Sequence, residues 1–137
     1  MTLVLDASMT IAWLFEDEHT EAAHAVMRRV AVEGALVPTL WRLEVANVLR
    51  NAVRRKRCDE AYADRSIARL ARLIIQSDGE TDDHAWSATR ILAREEDLTL
   101  YDAAYLELAI RKRAILASCD TALLNAATRR NIETITA

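Results

Sequence analysis

Four carboxylates in this sequence stand where one apolar segment gives way to the next. Asp6 follows the run TLVL, and Asp120 follows AILAS with Cys119 between. Glu44 lies near the head of LWRLEVANVLRNAVRRK, and Asp102 heads the segment LTLYDAAYLELAI. Each acid alone has an ordinary reading, because carboxylates accept hydrogen bonds from the free N–H groups of a first helical turn. Asp6 could cap a helix beginning near Ser8, and Asp120 could cap TALLNAA. Thr99 and Asp102 have the spacing of a capping box. Glu44 could be a solvated helix residue, although its i+4 neighbour is Val48. Together, the four can do more. Clustered carboxylates repel one another, so some must hold a proton unless a cation balances them. Ligation by carboxylate oxygen suits Mg²⁺ or Mn²⁺. Such an ion acidifies water and polarises a phosphoryl oxygen.

Whether the acids meet depends on the elements that carry them. TLVL, ALV before Pro38, IIQ, AILAS and IETIT read as short buried strands. Between them run helical segments: SMTIAWLFED with Ser8 as a candidate N-cap, EAAHAVMRRVAVE closed by Gly34, LWRLEVANVLRNAVRRK, DEAYADRSIARLARLI behind Asp59, DDHAWSATRILAREE, YDAAYLELAIRKR and DTALLNAATRRN. Strands alternating with helices predict an α/β domain with a short, mostly parallel sheet between helical layers. Residues 1–137 read as one domain. The two helical segments between Leu40 and Ile74 have no strand between them and predict a projecting helical hairpin. In open α/β sheets, ligands bind outside the carboxyl ends of the strands. Asp6 and Asp120 fall on that edge, and the helix starts carrying Glu44 and Asp102 face it. On a period of 3.6, Asp102 stacks over Tyr105, Leu106 and Ala109, so a buried stripe would anchor it.

Composition closes off other chemistries. Two glycines, Gly34 and Gly79, exclude a P-loop and a dinucleotide fingerprint. His19 and His24 do not share a helical face and His84 is isolated, so no zinc signature is present. Cys58 and Cys119 without a secretory signal point to a reducing cytoplasm. No apolar run is long enough to span a membrane, and MTLVLDASM has no basic region followed by an apolar stretch. A net charge of −3 gives no overall attraction to nucleic acid. Binding of that kind would need a local patch. The one candidate is Arg54, Arg55, Lys56 and Arg57, which reads either as a solvated helix end or as a phosphate-backbone contact.

Two other uses of Asp6 merit comparison. A phosphatase with Asp6 as covalent nucleophile usually carries a second Asp two residues on, where this chain has Ser8. A phospho-receiver usually has adjacent early acids and a late lysine, whereas the only lysines here are Lys56 and Lys112. A non-catalytic protein-binding domain is the third alternative.

With the four acids in place, the segments VLDASMTIAWLFED, LWRLEVANVL, LTLYDAAYLELA and LASCDTAL together resemble PIN-domain ribonucleases of the VapC toxin type. The resemblance spans essentially the whole chain. It implies a three-layer α/β/α fold, a divalent cation and endoribonuclease activity. It also implies a homodimer and a small cognate antitoxin. Asp6, Glu44, Asp102 and Asp120 fall on the family's acidic positions, and Ser8 and Ser118 on hydroxyl positions that support the first and fourth acids. Ile11, Trp13, Leu14, Phe15, Trp41, Val45, Val48 and Leu49 are then expected to leave an apolar groove between their two helices for an amphipathic antitoxin helix.

Overall fold

The computed structural model describes residues 1–137. The elements in chain order are β1 (Leu3–Leu5), α1 (Ala7–Leu14), a 3₁₀ turn (Glu16–Glu18), α2 (Glu21–Glu33), β2 (Ala35–Val37) and α3 (Trp41–Arg54). Then come α4 (Glu60–Leu70), β3 (Ile75–Ser77), α5 (Thr81–Ala85), α6 (Ala88–Glu96), α7 (Leu100–Lys112), β4 (Ile115–Ala117), α8 (Thr121–Arg129) and β5 (Thr134–Ile135). Five strands form one sheet in the order β3-β2-β1-β4-β5, and every pairing is parallel. Each expected strand is present, and the sheet is wholly parallel. Buried on both faces, β1 and β4 carry no polar residue, as parallel strands between helical layers require.

Right-handed crossovers fix the layers. The path from β1 through β2 to β3 moves one way across the sheet and lays α1–α4 on one face. The path from β3 back to β4 and β5 reverses and lays α5–α8 on the other. The order of strands therefore switches between β1 and β4. Helix α7 packs on both of those strands, with α6 and α8 beside it. Its residues Ala103–Ala109 are all buried, so it is enclosed on nearly every side.

Local signals set the boundaries. Thr20, Asp59, Thr99 and Asp120 cap α2, α4, α7 and α8 with side-chain oxygens. Gly34 ends α2 at φ 77°, and a Cβ there would lie 2.8 Å from the Ile74 carbonyl oxygen. Helix α1 begins differently. Asp6, not Ser8, occupies its N-cap position, and the Asp6 side chain makes no capping bond. The segment expected as one helix from Asp82 to Glu96 is two, α5 and α6, broken at Trp86 and Ser87.

The hairpin of α3 and α4 forms, with its inner face packed down. Trp41, Val45, Leu49 and Ala52 of α3 are buried, as are Ala63 and Leu70 of α4. The apolar groove expected between α1 and α3 is therefore closed. Ile11, Trp13, Leu14, Phe15, Trp41, Val45 and Leu49 are all under a tenth exposed, and Val48 is partly buried against them. These residues make the core of the α1–α4 layer. The exposed large apolar residues include Leu43, Trp86, Leu100 and Tyr101.

One buried ionic network braces the far end of α7. Glu107 is 5% exposed, and Arg111 one turn on bonds it at 2.8 Å. The same guanidinium grips Asp78, just after β3, at 2.6 and 3.1 Å. Two buried carboxylates thus share one planar cation, the arrangement that makes burying them tolerable.

Candidate active site

Strand register brings the first groups together. Leu5 pairs with Ala117 across β1 and β4, so the next residues, Asp6 and Ser118, lie side by side at the sheet's carboxyl edge. Ser118 Oγ donates to Asp6 Oδ2 at 2.8 Å. Ser8 Oγ, one residue into α1, donates to the same oxygen at 2.5 Å. The Ser8 oxygen accepts from Cys119 N at 2.9 Å, and the Ser118 oxygen accepts from Asp120 N at 3.0 Å. Both hydroxyls are thereby oriented toward the carboxylate. Asp6 is only 4% exposed. Burial raises its pKa, the two hydroxyls oppose that rise, and the charge of Asp120 adds to it. The position is the topological switch point of the sheet, where open α/β folds bind ligands.

Glu44 and Asp102 reach this edge from opposite layers. Trp41, one turn before Glu44, donates its Nε1 to Thr10 Oγ1 at 3.1 Å, tying the head of α3 to α1. Tyr105 Oη donates to Glu44 Oε1 at 2.5 Å. Burial raises the Glu44 pKa, against the Tyr105 bond, and the charges of Asp6 and Asp102 push it further. Asp102 is capped through its backbone: its N–H donates to Thr99 Oγ1 at 3.1 Å. The Asp102 carboxyl is pushed up to about 6, first by burial and then by the charges of Asp6 and Asp120. Asp120 is itself a cap, its Oδ2 accepting from Leu123 N at 3.2 Å.

The four sequence-selected acids thus share one end of the sheet and act on one another's charge. No three of them stand close enough to hold an ion between them in this arrangement. Repulsion among uncompensated carboxylates favours such spacing. The donor set is hard oxygen throughout. No cationic side chain lowers the pKa of Asp6, Glu44 or Asp102. Carboxylate oxygens of this kind are the donors that suit Mg²⁺ or Mn²⁺.

The basic cluster divides. Arg54 and Arg55 are exposed at the end of α3. Arg57 is engaged, bonding Asp17 at 2.7 Å and Glu18 at 2.8 Å and lying 3.8 Å over the Phe15 ring. Sequence reasoning did not find Tyr105, Thr10 or Trp41 as supports of the site. Tyr105 and Glu44 are 61 residues apart, and only the shared face of Tyr105 and Asp102 on one helix hinted at a role. The i,i+4 spacing of Glu107 and Arg111 was a usable signal for the ionic network.

Comparison with curated proteins finds no match. Among solved structures, the fold is similar to PAE2754 from Pyrobaculum aerophilum, with 26% identity and TM-score 0.68 over 92% of this chain and 86% of that one. It is also similar to VapBC2 from Rickettsia felis bound to a promoter DNA fragment, with 12% identity and TM-score 0.66 over 100% of this chain and 99% of that one. A third is the sarcin-ricin loop cleaving toxin VapC20 of Mycobacterium tuberculosis, with 15% identity and TM-score 0.62 over 91% and 95%. The family model for the PIN domain matches residues 3–129, from β1 through the last turn of α8, and so takes in all four acids. With that match the chain belongs to the PIN-domain family.

Proposed function

We propose that this protein is a metal-dependent endoribonuclease and the toxin of a toxin–antitoxin pair. The observation that carries the reading is the buried Asp6 carboxylate at the switch point, held by the hydroxyls of Ser8 and Ser118 and raised in pKa by the charge of Asp120. The likeness to VapC20, a sarcin-ricin loop cleaving toxin, supports an RNA substrate. Asp6, Glu44 and Asp102, with Asp120 beside them, would hold Mg²⁺ or Mn²⁺. When bound, such an ion supplies Lewis-acid polarisation of a phosphodiester and acidifies water.

The chain's own residues supply position. Ser8 and Ser118 fix one oxygen of Asp6 and leave the other free of those bonds. Tyr105 fixes one oxygen of Glu44. The enclosed helix α7 holds Asp102 at its head. Without a cation, these carboxylates would repel an RNA backbone, so charge compensation and substrate binding are one requirement. Arg54 and Arg55 stand exposed for contact with further phosphates.

Partners follow from what the fold leaves uncovered. The apolar side chains of Leu43, Trp86, Leu100 and Tyr101 are exposed around one cleft beside Glu44 and Asp102, a surface suited to a second copy of the chain. A separate apolar groove between α1, α2 and α4, lined by Leu14, Met27 and Leu73 with Arg28 and Arg72, suits an amphipathic antitoxin helix. No helix is long and apolar enough to cross a membrane.

The test compares two chemistries on one preparation. Purified protein with Mn²⁺ is expected to cut structured RNA internally and to leave p-nitrophenyl phosphate and small phosphodonors untouched. Formation of an acyl phosphate on Asp6, with RNA left intact, would overturn the reading.

A further inference from the structure

Glu44 differs from the other acids of the site. Asp6 is fixed by a strand end and two serines, and Asp102 and Asp120 have short side chains at helix starts. Glu44 has a longer, more flexible side chain, is only part-buried, and lies on α3 in the opposite layer from α7. A free glutamate of this kind samples several rotamers, and ordering it on binding costs entropy. What orders it here is a single contact. Tyr105 is wholly buried, and its hydroxyl donates to Glu44 Oε1 at 2.5 Å. The ring itself is locked in the core, so the hydroxyl cannot swing away. Tyr105 also follows Asp102 by three residues on α7, one turn deeper on the same face. One helix thus delivers an acid to the site and a donor that aims the acid arriving from the other layer.

We propose that Tyr105 is a positioning residue whose hydroxyl presets the Glu44 carboxylate, so that a divalent cation meets an ordered oxygen donor rather than a mobile one. This rests on the metal-dependent reading above. Partners that orient a metal ligand are commonly worth about 10-fold or more in affinity when removed. Tyr105→Phe deletes the donor and keeps the ring that fills the core.

The experiment is calorimetric titration of Mn²⁺ into wild type, Tyr105→Phe, Glu44→Ala and the double variant, with urea unfolding of each. Wild type is expected to bind Mn²⁺, and Tyr105→Phe to bind it about 10-fold more weakly. Adding Tyr105→Phe to Glu44→Ala is expected to change affinity no further, because the hydroxyl acts through Glu44. Equal affinity in wild type and Tyr105→Phe would overturn the proposal, as would a full further loss in the double variant. Absence of Mn²⁺ binding by wild type would overturn the metal reading and this inference with it. Should Tyr105→Phe fail to fold, fluorine NMR of the meta-fluorotyrosine-labelled chain decides. The Tyr105 resonance is expected to move on adding Mg²⁺ in wild type and not in Glu44→Ala. A resonance indifferent to Mg²⁺ would overturn the proposal.

Discussion

Ser118 Oγ lies 2.8 Å from Asp6 Oδ2, joining the ends of two neighbouring strands that are 112 residues apart in the chain. The contact couples the fold to the site, since the register of β1 on β4 is what brings the two residues together. Ser118 is fully buried, so no water replaces its hydroxyl. Ser118→Ala should cost about 1–3 kcal/mol, because a buried carboxylate loses a donor. A melting temperature several degrees lower, with RNA cleavage reduced, is expected in parallel assays. Unchanged stability would show that the bond is not formed in solution.

Asp102 bears on pH and stability together. Its carboxyl is pushed up to about 6 from 3.8, so the folded state takes up a proton that the unfolded state releases. Stability from this group therefore falls as pH rises through that window. Asp102→Asn should raise the melting temperature in EDTA at neutral pH by about 3 °C. The same change should lower RNA cleavage by about 100-fold or more. A variant that melts lower and stays active would remove Asp102 from the site.

The Arg111 network carries the opposite sign. The guanidinium holds the Asp78 carboxyl below 3.8, so the pair stabilises fully above that pH. That contribution is lost as pH falls through the lower folded value. Arg111→Met leaves Asp78 and Glu107 buried without a cation between them and should cost about 3–5 kcal/mol at neutral pH. Urea midpoints of wild type and variant should begin to converge as pH falls below about 4 and draw together as it falls through the lower folded value. A gap that stays constant with pH would contradict the ionic account.

Much of the fold was legible in short patterns. Apolar runs of three to five residues between amphipathic segments were enough to place five strands and the hairpin. The break at Trp86 and Ser87 was not, because the apolar period runs through it without glycine or proline. The face bearing Trp13, Phe15 and Trp41 was misread as exposed for a physical reason. Amphipathicity shows that a helix buries one side, and not whether the cover is the same chain or another. The acids were selected by their place at element ends. Their supports were not, because Tyr105 meets Glu44, and Trp41 meets Thr10, only through tertiary packing.

The arginines should separate by experiment as they do in the structure. Replacing Arg54 and Arg55 with Gln should weaken RNA binding and flatten its salt dependence by about 1.4 in the log–log slope, the value for two single-strand phosphate contacts. Arg57→Gln should instead lower the melting temperature, because it releases Asp17, Glu18 and the Phe15 ring. An unchanged salt slope in the Arg54/Arg55 variant would return both residues to a solvated helix end.

The central claim is that Asp6 and the other acids at the carboxyl edge of the sheet work through a divalent cation on RNA. The most direct measurement follows cleavage of one structured RNA by wild type and Asp6→Asn with Mn²⁺, after excess EDTA, and after Mn²⁺ is restored. Wild type should cut, stop with EDTA and resume, while Asp6→Asn stays inactive with its fold intact by circular dichroism. Cleavage by wild type that continues undiminished in EDTA, or by Asp6→Asn at the wild-type rate, would contradict the account.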